Sequence, residues 1–173
     1  SNDWIIEQKL DGKRLLVKLE NNSIKVFNRD GNQTTLPSSL KLKPKLRNAA
    51  IGPIVFDGEL IDNTYNVFDM CFLNDTSKTL IDRKLELQHL HKYFTCKVGS
   101  LKKVQAFWEP TNKQSLFDFV KRSNGEGVVF KRYTSTYKPG KGYDWVKFKF
   151  RKDVDCVVSE VGTEKANLTL SMY

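Results

Sequence analysis

Long apolar runs are missing from this sequence. No stretch approaches the roughly 18 consecutive apolar residues that span a bilayer, and no signal peptide opens the chain, so no membrane role is expected. Cysteine is scarce. Cys71, Cys96 and Cys156 are odd in number, scattered and without metal-site spacing. They read as reduced packing residues in a cytosolic-type compartment, and a cytoplasmic protein is expected. Histidine is scarcer still: His89 and His91 stand two apart in a predicted helix, point to different faces and make a poor metal pair. Acids are outnumbered, 20 against 29 lysines and arginines, and the net charge of +9 suits a polyanionic partner. Internal repeats and low-complexity linkers are absent, and nothing indicates an oligomer, so a monomer is expected.

What is there suits a globular chain: 173 residues, 39% hydrophobic and 12% aromatic, enough for one core or for one domain and part of a second. Period-two patterning predicts strands near 4–9, 14–20, 24–28, 54–61, 66–72, 103–108, 127–132, 144–150, 154–161 and 167–172. Helices are predicted over 38–48, after Pro37 and the cap candidates Ser38 and Ser39, over 79–94, and over 112–123. In the second, Leu80, Leu87, Leu90 and Phe94 line one stripe; in the third, Leu116, Phe119 and Val120 face inward. The fold class expected is α+β, with antiparallel sheets flanked by helices. After Phe150 the charged joint "RKDVDCVVSEVG" leads into a last pair of strands, which divides the chain at 151/152. A two-stranded piece is marginal alone.

The stretch "EQKLDGKRLLVKLE" at 7–20 supports two readings. Asp11-Gly12 is a strong hairpin signal, which would leave Lys9 a solvated strand-end lysine. Four further stretches favour the other reading. "VFDGEL" sets Asp57 and Glu59 on one face of a strand end, and "YNVFDM" offers Phe68. "GEGVVFK" puts Glu126 before a buried strand, and "DWVKFKF" projects Lys147 and Lys149 from one strand face. A lysine, two acids, an aromatic and two further lysines are what attack on a nucleotide phosphate requires. An amine attacks only when neutral, and nearby cations favour that form. Glu59 and Glu126 are candidate ligands for Mg²⁺, a hard ion that combines a few carboxylates with phosphate oxygens. Lys147 and Lys149 can neutralise charge on the α-phosphate, and Phe68 can stack on a purine.

Lys9 to Arg14 has the KxDGxR form of the covalent nucleotidyltransferases, the superfamily of ATP-dependent DNA ligases, RNA ligases and mRNA capping enzymes. Asp57-Gly58-Glu59, Tyr65 to Phe68, Glu126 to Val129 and Trp145 to Lys149 follow in that family's order. "GEGVVFK" and "YKPGKGYDWVKFK" resemble the ATP-dependent DNA ligase version, with a capping-type guanylyltransferase as nearest rival, then an RNA ligase. A catalytically silent nucleic-acid-binding module, built on the positive charge and on Trp108, Tyr133 and Tyr137, is the alternative from a different class.

The resemblance implies a nucleotidyltransferase (ATP-grasp-like) adenylation domain over 1–151, and over 152–173 a linker with the first strands of an OB-fold. Lys9 would form a phosphoamide with AMP from ATP, with Mg²⁺ as the metal. AMP would pass to the 5′-phosphate of nicked duplex DNA, and the 3′-hydroxyl would displace it. Glu7 would lie at the adenine edge and Arg14 by the ribose hydroxyls. Glu59 would contact ribose or metal, Phe68 would stack on adenine, and Glu126 would serve the metal. Lys147 and Lys149 would hold the α-phosphate, and Arg29 would meet the 5′-phosphate of the nicked strand. With only the start of an OB-fold, the chain is expected to adenylate slowly and to seal nicks weakly or not at all.

Overall fold

The computed structural model describes residues 3–45, 52–138, 140, 142–150, 156–161 and 168–172. The first strands are β1 (Trp4–Lys9), β2 (Lys13–Glu20), β3 (Ser23–Phe27), β4 (Gln33–Thr34), β5 (Lys41–Pro44), β6 (Ile54–Ile61) and β7 (Thr64–Phe72). Helix α1 (Leu80–Leu87) and a 3-10 turn (Leu90–Lys92) come next, then β8 (Phe94–Val98), β9 (Ser100–Lys103) and β10 (Ala106–Phe107). Helix α2 (Pro110–Arg122), β11 (Gly127–Arg132), β12 (Trp145–Lys149), β13 (Cys156–Val161) and β14 (Leu168–Met172) complete the described chain.

Two larger sheets carry the molecule, one ordered β10-β1-β11-β12 and the other β4-β3-β2-β6-β7-β9. Pairing is antiparallel except between β7 and β9, which run parallel, because α1, the 3-10 turn and β8 carry the chain across before β9 joins the edge. Two helices on mostly antiparallel sheets realise the α+β class expected. The β13–β14 hairpin forms a separate two-stranded sheet.

Asp11-Gly12 is not a hairpin turn. The strand before it pairs with β10 and β11, the strand after it with β3 and β6, so the dipeptide hands the chain from one sheet to the other. A side chain at Gly12 could not fit: its Cβ would lie 2.5 Å from the Leu60 carbonyl oxygen and 2.7 Å from Ile61 Cγ1. This close approach holds the end of β1 against the second sheet.

The main core lies on one face of the six-stranded sheet. Leu15, Val17 and Leu19 alternate into it from β2, Ile54 and Phe56 join from β6, and Leu40, Leu42, Leu87, Tyr93 and Phe94 cover them. Phe56 meets Tyr93 and Phe94 edge-on at 5.2 and 4.8 Å. On the four-stranded sheet, Ile6 and Val128 pack under Val120, Leu116 and Phe117 of α2. Phe119, expected inward, is exposed. The α2 stripe is narrower than the sequence suggested and turns on Val120.

Three expectations need correction. The helix over 38–48 is absent as far as Lys45, and the rest of it lies outside the described residues. Leu40 and Leu42 enter the core while Lys41 and Lys43 stay outside, a period of two, and β5 pairs with β8. The helix over 79–94 stops at Leu87, gives way to the 3-10 turn, and Phe94 opens β8. The strand over 103–108 is divided between β9 and β10. Among the described residues no helix is long and apolar enough to cross a membrane. Cys71 and Cys96 are free thiols, Cys71 buried and Cys96 packed at the edge of the core.

Candidate functional site

Cross-strand register builds one wall of a cleft. Ile5, Lys131 and Trp145 stand opposite one another across β1, β11 and β12; so do Glu7, Val129 and Lys147, and so do Lys9, Gly127 and Lys149. Residues directly opposite share a face, so these three rows lie on the side of the sheet away from α2. The second sheet supplies the other wall. Arg14 on β2 is opposite Glu59 on β6, Leu16 is opposite Asp57, and Phe68 comes from β7. Between the walls is a cleft of about 500 Å³ lined by Glu7, Lys9, Arg14, Glu59, Phe68 and Lys147 among others.

Lys9, at the end of β1, donates a hydrogen bond to Glu126 Oε2, and Lys149 stands 3.0 Å from Glu126 Oε1. Both carboxylate oxygens are therefore engaged by lysines. Burial acts to raise the Glu126 carboxyl, but the bonds from Lys9 and Lys149 outweigh it and hold it below the ordinary value. Gly127 makes this junction possible. Its φ of +149° disfavours any side chain, and a Cβ there would lie 2.0 Å from the Phe148 carbonyl oxygen.

On the facing wall, Arg14 donates from Nε to Asp57 Oδ1 at 2.9 Å and from a terminal nitrogen to Oδ2 at 2.6 Å. The Tyr137 hydroxyl donates to the same Oδ2 at 3.0 Å. The bond to Asp57 raises the Arg14 pKa against the opposing effect of burial, while burial and the Asp57 charge raise that of Tyr137. Burial pushes the Glu59 carboxyl above its ordinary value, with Lys9 and Arg14 opposing it. Lys147 is lowered by burial and then by the cations Lys9, Arg14 and Arg29. Arg29 is exposed, in the turn after β3, and its charge acts on Lys147.

The nucleotide-site candidates from the sequence thus fall at one place. Glu7, Lys9, Arg14, Glu59, Phe68 and Lys147 line the cleft, and Glu126 with Lys149 closes its Lys9 end. Arg29 is not part of the lining and is linked to the others only through its charge on Lys147. No group of three or more His, Cys, Asp and Glu side chains able to hold a metal occurs among the described residues. Glu59 and Glu126 offer hard oxygen donors on either side of Lys9, which suits an ion completing its shell with phosphate oxygens.

Sequence reasoning missed the support beneath this surface. Lys131 lines the cleft, paired to Glu7 Oε2 at 2.6 Å, and its place at the end of "GEGVVFK", two residues from Val129, was a readable signal. Tyr137 and Asp57 were visible as residues but not as a pair. Arg83 and Lys84 of α1 carry no such signal. Arg83 binds Asp69 through Nε at 2.8 Å and a terminal nitrogen at 3.0 Å, and it donates to the carbonyls of Lys78 and Ser135. Its guanidinium also stands 5.7 Å from the Tyr137 ring centroid, so α1 braces the segment that delivers Tyr137 to Asp57.

Two facing sheets with a lysine-centred cleft between them make the fold of the ligase nucleotidyltransferase domain. The chain belongs to the ATP-dependent DNA ligase domain family, whose model matches residues 61–149, a span that begins just after Glu59 and does not include Lys9 or Arg14. A DNA ligase of Pyrobaculum neutrophilum is 24% identical over 180 residues, covering 84% of this chain; the chain spans only 30% of that relative's length. The structure of mycobacterial DNA ligase D complexed with ATP and MES superposes with a TM-score of 0.62 at 21% identity, over 90% of this chain and 57% of that one. A minimal Lig E DNA ligase superposes at 0.66 with 16% identity, over 99% of this chain and 74% of its own.

Proposed function

We propose that this chain is the adenylation domain of an ATP-dependent DNA ligase, with Lys9 as its nucleophile. The observation that carries the reading is the convergence on Lys9, from four other segments, of Glu59 and Arg14 on one side and Glu126, Lys147 and Lys149 on the other. In the first step Lys9 Nζ forms a bond to the α-phosphorus of ATP as the bond to the β-phosphate oxygen breaks, and pyrophosphate leaves. The proton lost by Lys9 goes by way of Glu126, which already accepts its hydrogen bond and, holding protons weakly, passes it to water. Lys147 and Lys149 meet the charge growing on the phosphoryl oxygens. Glu7 and Phe68 receive the base and Arg14 the ribose.

Mg²⁺, held by Glu59 and Glu126 with the substrate's phosphate oxygens, would neutralise part of that same charge. AMP then passes to a 5′-phosphate in nicked duplex DNA, near Arg29, and the 3′-hydroxyl displaces it. The net charge of +9 suits that partner. The division at 151/152, a monomeric state and a cytoplasmic location belong to the same reading, the last in keeping with the free thiols Cys71 and Cys96.

The test is incubation with α-labelled ATP or GTP and Mg²⁺, run on a denaturing gel beside Lys9→Ala. Label from ATP that is absent in the mutant is the expected result. Label from GTP alone moves the chain to the capping branch. No label from either, with or without a C-terminal OB domain supplied, removes the enzyme reading.

A further inference from the structure

We propose that Lys84 of α1 is a positioning residue for base selection, fixing Glu7 as an acceptor edge that admits a purine bearing an exocyclic amine and turns away one bearing a carbonyl. The proposal rests on the reading of the cleft as an ATP site.

Three charged side chains are packed together at this wall. Glu7, Lys84 and Lys131 are 2%, 5% and 2% exposed, a costly arrangement unless each charge is paired. Lys84 Nζ donates to Glu7 Oε1 and to the Phe68 carbonyl; Lys131 Nζ stands 2.6 Å from Glu7 Oε2 and 3.4 Å from the same carbonyl. Glu7 and Lys131 line the cleft and Lys84 does not, so Lys84 acts from behind, through Glu7.

The two cleft residues would choose opposite purines. A carboxylate is acceptor-only and suits an amine; an ammonium is donor-only and suits a carbonyl. The lysine is disarmed, because Glu7 and the Phe68 carbonyl hold Lys131 while the rings of Trp145 and Phe68 cover it at 3.9 and 4.8 Å from their centroids. Each Glu7 oxygen gives one lone pair to a lysine and keeps one. Lys131 alone would neutralise Glu7, so charge balance does not require a second cation from another element. What Lys84 adds is orientation. It pins Oε1, so the carboxylate cannot turn both oxygens onto Lys131 and withdraw its open lone pairs from the cleft.

The test is equilibrium titration with ATP and with GTP, followed by tryptophan fluorescence because Trp145 lines the cleft, in the parent, Lys84→Met, Lys84→Gln and Lys84→Arg. The parent should prefer ATP. Lys84→Met should lose about tenfold or more of that preference, through weaker ATP binding, and Lys84→Arg should restore most of it. Lys84→Gln keeps a donor without the charge, and it is the variant read if Lys84→Met does not melt cooperatively. A folded Met or Gln variant with the parent's ATP-to-GTP ratio overturns the proposal, as does a Lys84→Arg variant no better than Lys84→Met. A parent that binds neither nucleotide overturns the ATP-site reading as well, whereas an ATP-selective parent with an unchanged variant overturns the role of Lys84 alone.

Discussion

Lys9 and Glu126, 117 residues apart in the chain, meet as an ion pair where β1 ends and β11 begins. The pair joins the proposed nucleophile to the acid that would take its proton. Glu126→Gln should lower the rate of Lys9 adenylation by about a hundredfold, because the lysine then loses both its orientation and its proton outlet. Single-turnover labelling across a range of ATP concentrations checks this: the loss should appear in the rate at saturation and not in the half-saturating concentration. The pair's contribution to stability has a defined pH dependence. The Glu126 carboxyl is held below its ordinary value, so the contribution is present above the ordinary carboxylate range and disappears as pH falls through the lower folded value.

Glu59 has the opposite sign. Burial raises its carboxyl pKa, so between the unfolded and folded values the folded state binds more protons, and stability falls as pH rises through that window. Glu59→Gln should therefore raise the melting temperature of the ligand-free protein at neutral pH while depressing adenylation. The gain should vanish below the ordinary carboxylate range. Thermal melts of parent and variant at neutral and acid pH measure both effects.

Arg83→Met should be among the most damaging single changes. It removes the cation from the Asp69 carboxylate, fully buried in the parent and held by Nε and one terminal nitrogen of Arg83, leaving it the Met70 amide, and it releases the Ser135 carbonyl. Removing one partner of such a pair costs about 3–5 kcal/mol. Urea unfolding should show that loss in the midpoint with little change in slope.

These three predictions draw unequally on what the sequence discloses. Lys9, Glu59 and Glu126 were legible because each sits in a short strand-end motif, where period two fixes the face. The strands over 54–61 and 127–132 were legible to the residue for the same reason. The helix expected over 38–48 failed because Pro37 and two serines imitate an N-terminus, while the alternation Leu40-Lys41-Leu42-Lys43 already carried the strand period. The Asp11-Gly12 hairpin, the alternative that the other motifs argued against, does not form because pairing partners lie far along the chain, and a local turn signal does not report which sheet the next strand will join. Arg83 and Lys84 were illegible in principle. Two adjacent basic residues on a helix resemble a solvated face until the partners Asp69 and Glu7, from two other strands, are brought beneath them.

Gly127→Ala should separate folding from chemistry. The added Cβ would collide with the β12 backbone at Phe148, so β12 must shift and take Lys147 and Lys149 with it. Most of the core lies against the other sheet, so circular dichroism should stay close to the parent's. Adenylation should fall by about a hundredfold, since displacement near 1 Å carries that cost.

The most direct measurement is peptide mapping by mass spectrometry after incubation with ATP and Mg²⁺. An acid-labile adenylyl group on Lys9, in the segment Glu7 to Lys13, is the expected result. Adenylate on Lys13, Lys147 or another lysine, with Lys9 unmodified, would contradict the assignment of the nucleophile and with it the roles built around Lys9.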